Sequence, residues 1–232
     1  MHLWEIPKDL IIDEDAVLRG QGADPKIIRQ RSPRLVEDAR KALQEGQSYL
    51  EPQVLYQKLK VNSVQHERVV LENGKRLSGS LIATHLGPAE YVVLLLCTAG
   101  DRLEEHVSAV MADDIVYGLA LDGVGSAAVE ALANAACKFF EDEAAEIGYQ
   151  ASIPLSPGMI GWDVQDGQPE LFEIFDADRI NVSLSSHSIM TPRKSLTMVL
   201  GFGPEMNLAG RTCDFCAMKE TCQYKDHYEL AA

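Results

Sequence analysis

The sequence lacks a long hydrophobic run, a surplus of basic residues and a secretion signal. Its longest apolar run, Tyr91–Cys97, is far shorter than the ~20 residues that cross a bilayer. The chain carries 21 Lys and Arg against 35 Asp and Glu, a net charge of −14 that repels nucleic-acid phosphates and anionic membranes. We therefore expect no nucleic-acid partner and no membrane partner. Residues 1–7 contain no basic stretch followed by an apolar one, so we expect a cytoplasmic protein.

Cysteine is also too scarce and too unevenly placed for a disulfide framework. There are 5 cysteines, and Cys213, Cys216 and Cys222 lie close together near the end of the sequence. In a reducing compartment such a cluster binds a metal or remains as thiols.

The chain does contain blocks of helical and strand-like pattern. Its 232 residues, 46% of them hydrophobic, are enough to build one large domain or two small ones. Residues 1–50 read as helical, and residues 54–77 read as strands, with Asn73-Gly74 predicting a type I′ hairpin turn. Glu90–Thr98 predicts a fully buried strand. Because strands and helices are grouped rather than alternating, the pattern favours an α+β fold.

The second half of the chain continues this mixture. The predicted elements are a helix at Asp101–Ala112, an Ala-rich helix at Asp114–Ile147 interrupted by glycines, a loop at Gly148–Gly161, a short helix at Glu170–Phe175, and strands at Arg179–Leu184 and Ser195–Phe202.

A glycine motif at residues 123–128 matches the G-x-G-x-x-A form of the dinucleotide-binding fingerprint. No apolar strand ending in an acidic residue follows about 20 residues later, as that fingerprint requires. Close helix packing is the favoured interpretation of Gly123 and Gly125, and a nucleotide-dependent oxidoreductase is the alternative.

Three segments taken together resemble a known family. They are Leu121–Glu130, Ser156–Gly158 and residues 179–195, which run from Arg-Ile-Asn-Val-Ser-Leu to Met-Thr-Pro-Arg-Lys-Ser. Their order and spacing are similar to the activation (reactivation) domain of cobalamin (vitamin B12)-dependent methionine synthase, and more closely to its small standalone relatives. The resemblance extends over residues 10–205 and is most specific between 118 and 203.

This resemblance implies an α+β fold with a twisted antiparallel sheet flanked by helices. It divides the chain into a domain at 1–205, with a helical part at 1–50 and an α+β core at 51–205, and a cysteine-rich tail at 206–232. In that family the domain binds S-adenosylmethionine (SAM) and docks over a corrinoid. An electron donor reduces inactive Co(II) there, and SAM then methylates the resulting Co(I).

The resemblance also implies particular site residues. Glu130 aligns with the helix glutamate that contacts SAM, and residues 154–159 align with the family loop R-x-x-P-G-Y. Pro154 and Met159 replace the arginine and tyrosine of that loop, which argues against SAM binding, and only Arg179 or Arg193 could substitute. The histidine of Ser185–Ser188 could face the corrinoid. The predicted cofactor-binding residues are Glu130, Ser156, Pro157, Gly158, Met159 and His187.

Corrinoid carriers of the family hold cobalt through a histidine in D-x-H-x-x-G, a motif that this sequence lacks. We therefore expect the corrinoid to be supplied by a partner, either a corrinoid-binding protein or a methyltransferase. An electron-donor protein is a second possible partner.

The motif Cys213-x2-Cys216-x5-Cys222 can surround one soft metal centre. An iron–sulfur cluster would use the three thiolates and one further ligand. Zinc is the alternative, with His227 completing a Cys3His set, and three free or redox-active thiols are the third possibility. The need for a low-potential electron favours iron–sulfur.

These observations leave three hypotheses. The first is a partner that reactivates a corrinoid protein or delivers electrons to it, with a metal centre at Cys213, Cys216, Cys222 and His227. The second is a SAM-dependent methyl donor to Co(I), and the third is the nucleotide-dependent oxidoreductase.

Overall fold

An antiparallel sheet organises the chain, and helices cover both of its faces. The structure is a computed structural model that describes residues 1–7 and 11–222. Within those residues the main sheet has seven strands. The predicted α+β class, a twisted antiparallel sheet flanked by helices, is confirmed.

The described residues form seven α-helices, nine strands and three 3₁₀ turns. The helices are α1 (Glu14–Gly20), α2 (Pro25–Arg31), α3 (Pro33–Gly46), α4 (Ser80–Leu86), α5 (Arg102–Met111), α6 (Ile115–Glu146) and α7 (Val164–Phe172). The strands are β1 (His2–Leu3), β2 (Gln53–Gln65), β3 (Arg68–Leu71), β4 (Arg76–Ser78), β5 (Tyr91–Thr98), β6 (Gln150–Ala151), β7 (Ser183–Leu184), β8 (Met190–Thr191) and β9 (Ser195–Gly203). The 3₁₀ turns are Gln47–Tyr49, Ala177–Ile180 and Thr212–Phe215.

Strand order in the main sheet is β4-β3-β2-β5-β9-β6, and β1 pairs with β2 beside this path. Strands β7 and β8 form a separate two-stranded ribbon. Strand β2 is long enough to pair with β1 near its start and with β3 near its end, while β5 runs along its other side.

Strand β5 lies at the centre of the sheet. Tyr91 at its start is opposite Lys60 of β2 and Phe202 of β9. Every residue from Val92 to Thr98 is buried. A continuous apolar run is expected where both faces of a strand are covered, so the predicted buried strand is confirmed.

The two faces of the sheet pack against different layers. On one face Leu94 and Leu96 of β5 contact α4, α7 and the segment 155–182. On the other face Leu95 and Cys97 contact the second half of α6. The first half of α6 packs with α1, α3 and α5 in a third, helical cluster. Helix α6 therefore joins the helical part of the chain to the sheet.

The glycines of α6 allow neighbouring helices to approach closely. The helix runs unbroken through Gly118, Gly123 and Gly125, contrary to the predicted interruption. A Cβ on Gly123 would lie 2.7 Å from the carbonyl oxygen of Val17 in α1, and a Cβ on Gly20 would lie 2.4 Å from the carbonyl oxygen of Gly123. The dinucleotide interpretation is wrong, because phosphate-binding glycines lie between a strand and a helix N-terminus rather than within a helix.

The predicted type I′ turn is also wrong. That turn needs a positive φ at both central residues, and Gly74 has a φ of 78° whereas Asn73 does not share it. The Leu71 amide donates to the Lys75 carbonyl at 2.8 Å, and the Gly74 amide donates to the Leu71 carbonyl at 2.9 Å. The hairpin therefore has a three-residue loop that ends in a left-handed glycine.

Four segment predictions need correction. Residues 1–50 are not all helical, because β1 pairs with β2 at the edge of the sheet. This strand was missed because two residues are too few to give a recognisable sequence pattern. Residues 179–184 are not one strand: they contain the end of the 3₁₀ turn Ala177–Ile180 and the two-residue strand β7, separated by Asn181, which is left-handed with a φ of 54°. Helix α7 begins earlier than Glu170, because Asp163 caps it by accepting a hydrogen bond from the Gln165 amide at 2.8 Å. The predicted loop at 148–161 also contains β6.

By length and composition alone, α6 could cross a membrane. More than half of its most apolar stretch is buried within the protein, against the sheet on one side and against α1, α3 and α5 on the other. An apolar helix buried in this way is typical of a protein core.

Replacing Gly123 with alanine is expected to destabilise the fold by about 1–3 kcal/mol, because the added Cβ meets the α1 backbone, which cannot rotate away. Urea denaturation measures the free energy of unfolding. Asn134→Ala, at an exposed position of the same helix, is the control and is expected to be neutral or slightly stabilising. Equal stability of Gly123→Ala and Asn134→Ala would contradict the packing role.

Candidate functional site

The loop that aligns with the family signature runs along the open edge of β9. The Leu155 amide donates to the Val199 carbonyl at 3.0 Å, and the Val199 amide donates to the Leu155 carbonyl at 2.8 Å. Both side chains lie in the cluster that includes α4 and α7. Because side chains alternate along an extended chain, we infer that Pro154 and Ser156 face the α6 side of the sheet.

Beyond this edge the chain makes a tight turn around Trp162. The Gly158 amide donates to the Trp162 carbonyl at 2.8 Å, and the Trp162 amide donates to the Met159 carbonyl at 2.9 Å. Gly158 and Gly161 have φ values of 98° and 92°, which favour glycine. A Cβ on Gly161 would lie 2.7 Å from Ser80 Oγ, so the turn packs tightly against the start of α4.

A surface cleft of 630 Å³ lies beside this turn. One wall is formed by residues 158–166 and the other by residues 78–80, with Glu67 at the rim. Among the described residues, the lining includes the carboxylates of Glu67, Asp163 and Asp166 and contains no lysine or arginine. The cleft therefore suits a neutral or cationic group better than an anionic one.

Trp162 is 1% exposed and forms part of this lining. Its indole nitrogen has no hydrogen-bond partner among the described residues. A Cβ on Gly167 would lie 2.6 Å from that nitrogen, so the glycine of α7 allows the indole to pack against the helix backbone.

Glu130 lies on the α6 side of the sheet and does not line the cleft. Its charge acts on the Cys97 thiol, which places it near the end of β5. Burial raises the pKa of Glu130 to about 7. No hydrogen bond or ion pair joins its carboxyl to another described residue. Glu130 is thus a largely buried carboxyl without a counter-ion in the part of the chain that the structure describes.

Two helical turns before Glu130, α6 presents Asp122, and Ser126 lies between them. The ammonium of Lys194 lies 2.8 Å from Asp122 Oδ2 and 2.9 Å from Ser126 Oγ. Of the two arginines considered as substitutes for the missing family arginine, Arg179 donates instead to the Met1 carbonyl at 3.0 Å. Neither arginine lines the cleft. Sequence reasoning did not single out Lys194, whose ammonium the fold places beside Asp122 and Ser126 of α6.

His187 is exposed in the loop between β7 and β8. Its carbonyl accepts a hydrogen bond from Gln165 Nε2 at 3.2 Å, and Ser188 Oγ donates to Gln165 Oε1 at 3.4 Å. Because Gln165 lines the cleft, the loop that carries His187 lies beside the cleft rim.

The cysteine segment, defined here as residues 212–222, packs directly against the family loop. The Ile160 amide donates to the Phe215 carbonyl at 2.7 Å, and Met159 and Cys216 form an antiparallel bridge. The Cys216 amide donates to the Cys213 carbonyl at 3.3 Å, which closes a turn between these two partly exposed cysteines. Two features that are far apart in the sequence, the predicted cofactor loop and the predicted metal ligands, are therefore neighbours.

Within residues 1–7 and 11–222, no three His, Cys, Asp or Glu side chains converge as metal ligands would. His227 lies outside the described residues. Cys97 and Cys137 are buried on the α6 face, and burial raises the pKa of both thiols, that of Cys97 to about 12. Phe215 packs on the opposite face, so these two thiols belong to the core rather than to the cysteine segment.

The structure also reveals His85, which sequence reasoning missed. It lies in the last turn of α4, is 1% exposed, and stacks edge-on against Phe215 with 4.9 Å between ring centroids. Burial lowers the pKa of His85, and the Asn207 backbone opposes that shift more weakly. The short motif Thr84–Gly87 gives no signal for such a contact, because the partner lies more than a hundred residues later.

Comparison with solved structures identifies the architecture. A crystal structure of the MetH reactivation domain bound to AdoHcy matches with a TM-score of 0.66, and the alignment covers 93% of this chain and 83% of that chain. The fold is that of the MetH reactivation domain. The expected resemblance is confirmed as a structural relationship, although the sequence identity is only 12%. No family model and no curated protein matches the sequence.

Glu130 is expected to make folding stability depend on pH. Its pKa is higher in the folded chain than its ordinary value of 4.5, so its contribution is full below pH 4.5 and is lost as pH rises through about 7. Between pH 5 and 8 wild type should lose about 2–3 kcal/mol more than Glu130→Gln. Urea denaturation at both values measures this difference. Glu146→Gln, an exposed glutamate of the same helix, is the control, and a profile for Glu130→Gln identical to wild type would refute the assignment.

Proposed function

We propose that this chain reactivates a corrinoid protein and that its cysteine segment supplies the redox element. The bridge between Met159 and Cys216 is the observation that carries the proposal, because it brings the cysteine motif to the family loop. The MetH reactivation domain, which is similar in fold, was crystallised with bound AdoHcy.

The cysteine segment carries three thiols, the donor type of soft metal centres, although their side chains do not converge within the described residues. The turn between Cys213 and Cys216 can present both thiols to one metal, and Cys222 follows within the same segment. We propose that these residues hold an iron–sulfur cluster, with zinc as the alternative and His227 as a further candidate ligand. Such a cluster would supply single low-potential electrons, which zinc cannot.

The partner of this chain would carry the corrinoid. The sequence lacks the cobalt-binding motif of corrinoid carriers, and its net charge of −14 complements a basic docking surface. The cleft and the exposed side chain of Ile160 lie beside the same loop, so this end of the molecule is the proposed docking side. A cytoplasmic location is consistent with free thiols at the surface.

A SAM-dependent methyl donor to Co(I) is the second candidate. It is favoured by the match to a domain crystallised with AdoHcy and by the position of Glu130 on the α6 side of the sheet, the side that Pro154 and Ser156 face. Glu130 and the loop at 156–159 would contact the ligand in this proposal. Pro154 leaves the SAM carboxylate without the arginine that the family provides.

Mixing the protein with a Co(II) corrinoid protein from the same source is expected to change the cobalt absorption spectrum. Ile160→Glu should weaken this complex at least about 10-fold, since it places a charge beside the loop. Ile147→Glu is the matched control, because Ile147 at the end of α6 is 61% exposed and Ile160 is 60% exposed. No spectral change with wild type, or equal effects of both variants, would count against the proposed docking side.

Restoring the family arginine is expected to restore SAM binding. Pro154→Arg should bind SAM about 10- to 100-fold more tightly than wild type, through a charge-assisted contact with the carboxylate. Isothermal titration calorimetry with SAM measures the affinity of each variant. Pro154→Gln is the uncharged control. Absence of SAM binding by every variant would rule out the methyl-donor candidate.

A further inference from the structure

A second cavity, of 440 Å³, lies where β1, β2 and the second half of α6 meet. We call it the aromatic cavity, because Trp4, Tyr56 and Phe139 contribute to its lining. Among the described residues the lining also contains one carboxylate, that of Glu5, and neither lysine nor arginine. Trp4 and Tyr56 belong to the core on the α6 face of the sheet, whereas the cysteine segment packs on the opposite face. The aromatic cavity is therefore separate from the cleft and from the cysteine segment.

Backbone pairing and core packing hold the walls of this cavity in place. The Trp4 amide donates to the Val54 carbonyl at 2.9 Å, which attaches the start of the chain to β2. Trp4 is 9% exposed, and its ring is tilted by 55° to that of Phe139, with 5.7 Å between centroids. The ring of Tyr56 packs against Phe140 at 54° and 4.9 Å. Because these rings are fixed by the protein itself, a ligand would have few side chains to order on binding.

The aromatic cavity opens to solvent between apolar side chains. Phe139 is 47% exposed and Leu3 is 54% exposed, and both line this one concavity. Glu5 is exposed beside them. Single exposed apolar residues are ordinary, but an apolar hollow with a placed charged group is the usual form of a small-molecule site. The charge of Glu5 and the net charge of −14 both favour a positive ligand.

The chemistry of the lining selects among cations. The faces of aromatic rings carry negative electrostatic potential, and groups of such rings bind quaternary ammonium ions through cation–π attraction. A primary ammonium is strongly hydrated and has three N–H groups that need acceptors, which an apolar lining supplies poorly. A quaternary ammonium has no N–H group, and its methyl groups pack well against apolar walls. Small-molecule sites occupy about 300–1,000 Å³, so the volume of this cavity suits a small compound.

We propose that the aromatic cavity binds the quaternary ammonium group of a small compound of the choline type. The rings of Trp4, Tyr56 and Phe139 surround the methyl groups, and the carboxylate of Glu5 lies beside the positive charge. This site goes beyond the proposed function, because it lies across the sheet from the cysteine segment and requires neither a corrinoid partner nor a metal.

The experiment titrates the full chain with choline and follows the indole N–H signals by NMR. The chain has 2 tryptophans, and Trp162 at the cleft provides an internal reference for Trp4. Trp4→Phe assigns the two signals. Choline is expected to shift the signal of Trp4 and to leave that of Trp162 unchanged. Dimethylbutanol, the neutral isostere in which carbon replaces the nitrogen of choline, should bind at least about 10-fold more weakly because it lacks the charge.

Variants of the two exposed lining residues separate the contributions of ring and charge. Phe139→Leu keeps apolar bulk but removes the ring face, and it is expected to weaken choline binding about 10-fold. Phe139→Tyr keeps the ring and should bind choline as wild type does. Glu5→Gln should weaken binding about 2- to 5-fold, as expected for an exposed charge pair. Glu146→Gln, at an exposed position of α6, is the control for loss of one negative charge.

A Trp4 signal that choline does not shift would overturn the inference. Equal binding of choline and its isostere would also overturn it, as would a larger shift of Trp162, which would place the cation in the cleft. Tighter binding of a trimethyl-lysine peptide than of choline would refute the assignment to a small compound. Thermal denaturation shows whether each variant folds. If Phe139→Leu does not fold, the comparison of choline with its isostere in wild type decides, and the corrinoid titration tests the proposed function separately.

Discussion

The pairing of β5 with β2 on one side and β9 on the other is the constraint on which the rest of the structure depends. Eight consecutive residue pairs join β5 to each neighbour. The buried side chains from Val92 to Thr98 pack into the hydrophobic cores on both faces of the sheet. Burying an apolar strand on both faces requires a helical layer above and below it. Helix α6 supplies one layer, and α4 with α7 supplies most of the other.

This arrangement also determines where chemistry can occur. Strand β9 lies next to β5, and its outer edge is left to a short strand, β6, and to the loop at Leu155. The remaining chain folds against the same region, so the cleft, the cysteine segment and His85 gather around one turn at residues 158–162. Glu130 and Lys194 lie across the sheet, on the α6 side.

The strong apolar patterns predicted the fold well. The buried strand at Glu90–Thr98 and the class of fold are confirmed, because continuous hydrophobic runs signal burial on their own. Short elements were missed, since β1 has two residues and its pairing with β2 is a tertiary contact. The glycines at 123 and 125 matched a nucleotide motif by spacing alone, and only the packing of α1 against Gly123 shows their role.

By itself the sequence determined the α+β class, the acidic surface, the cysteine motif and the resemblance of the loop at 154–159 to a corrinoid-related family. These four features depend only on the types of residue and their spacing along the chain, both of which can be read directly from the sequence. Only the tertiary structure decided that Met159 meets Cys216 and that His85 is buried against Phe215. Those contacts join residues from about sixty to more than a hundred positions apart, and their partners are chosen by how the layers pack around β5.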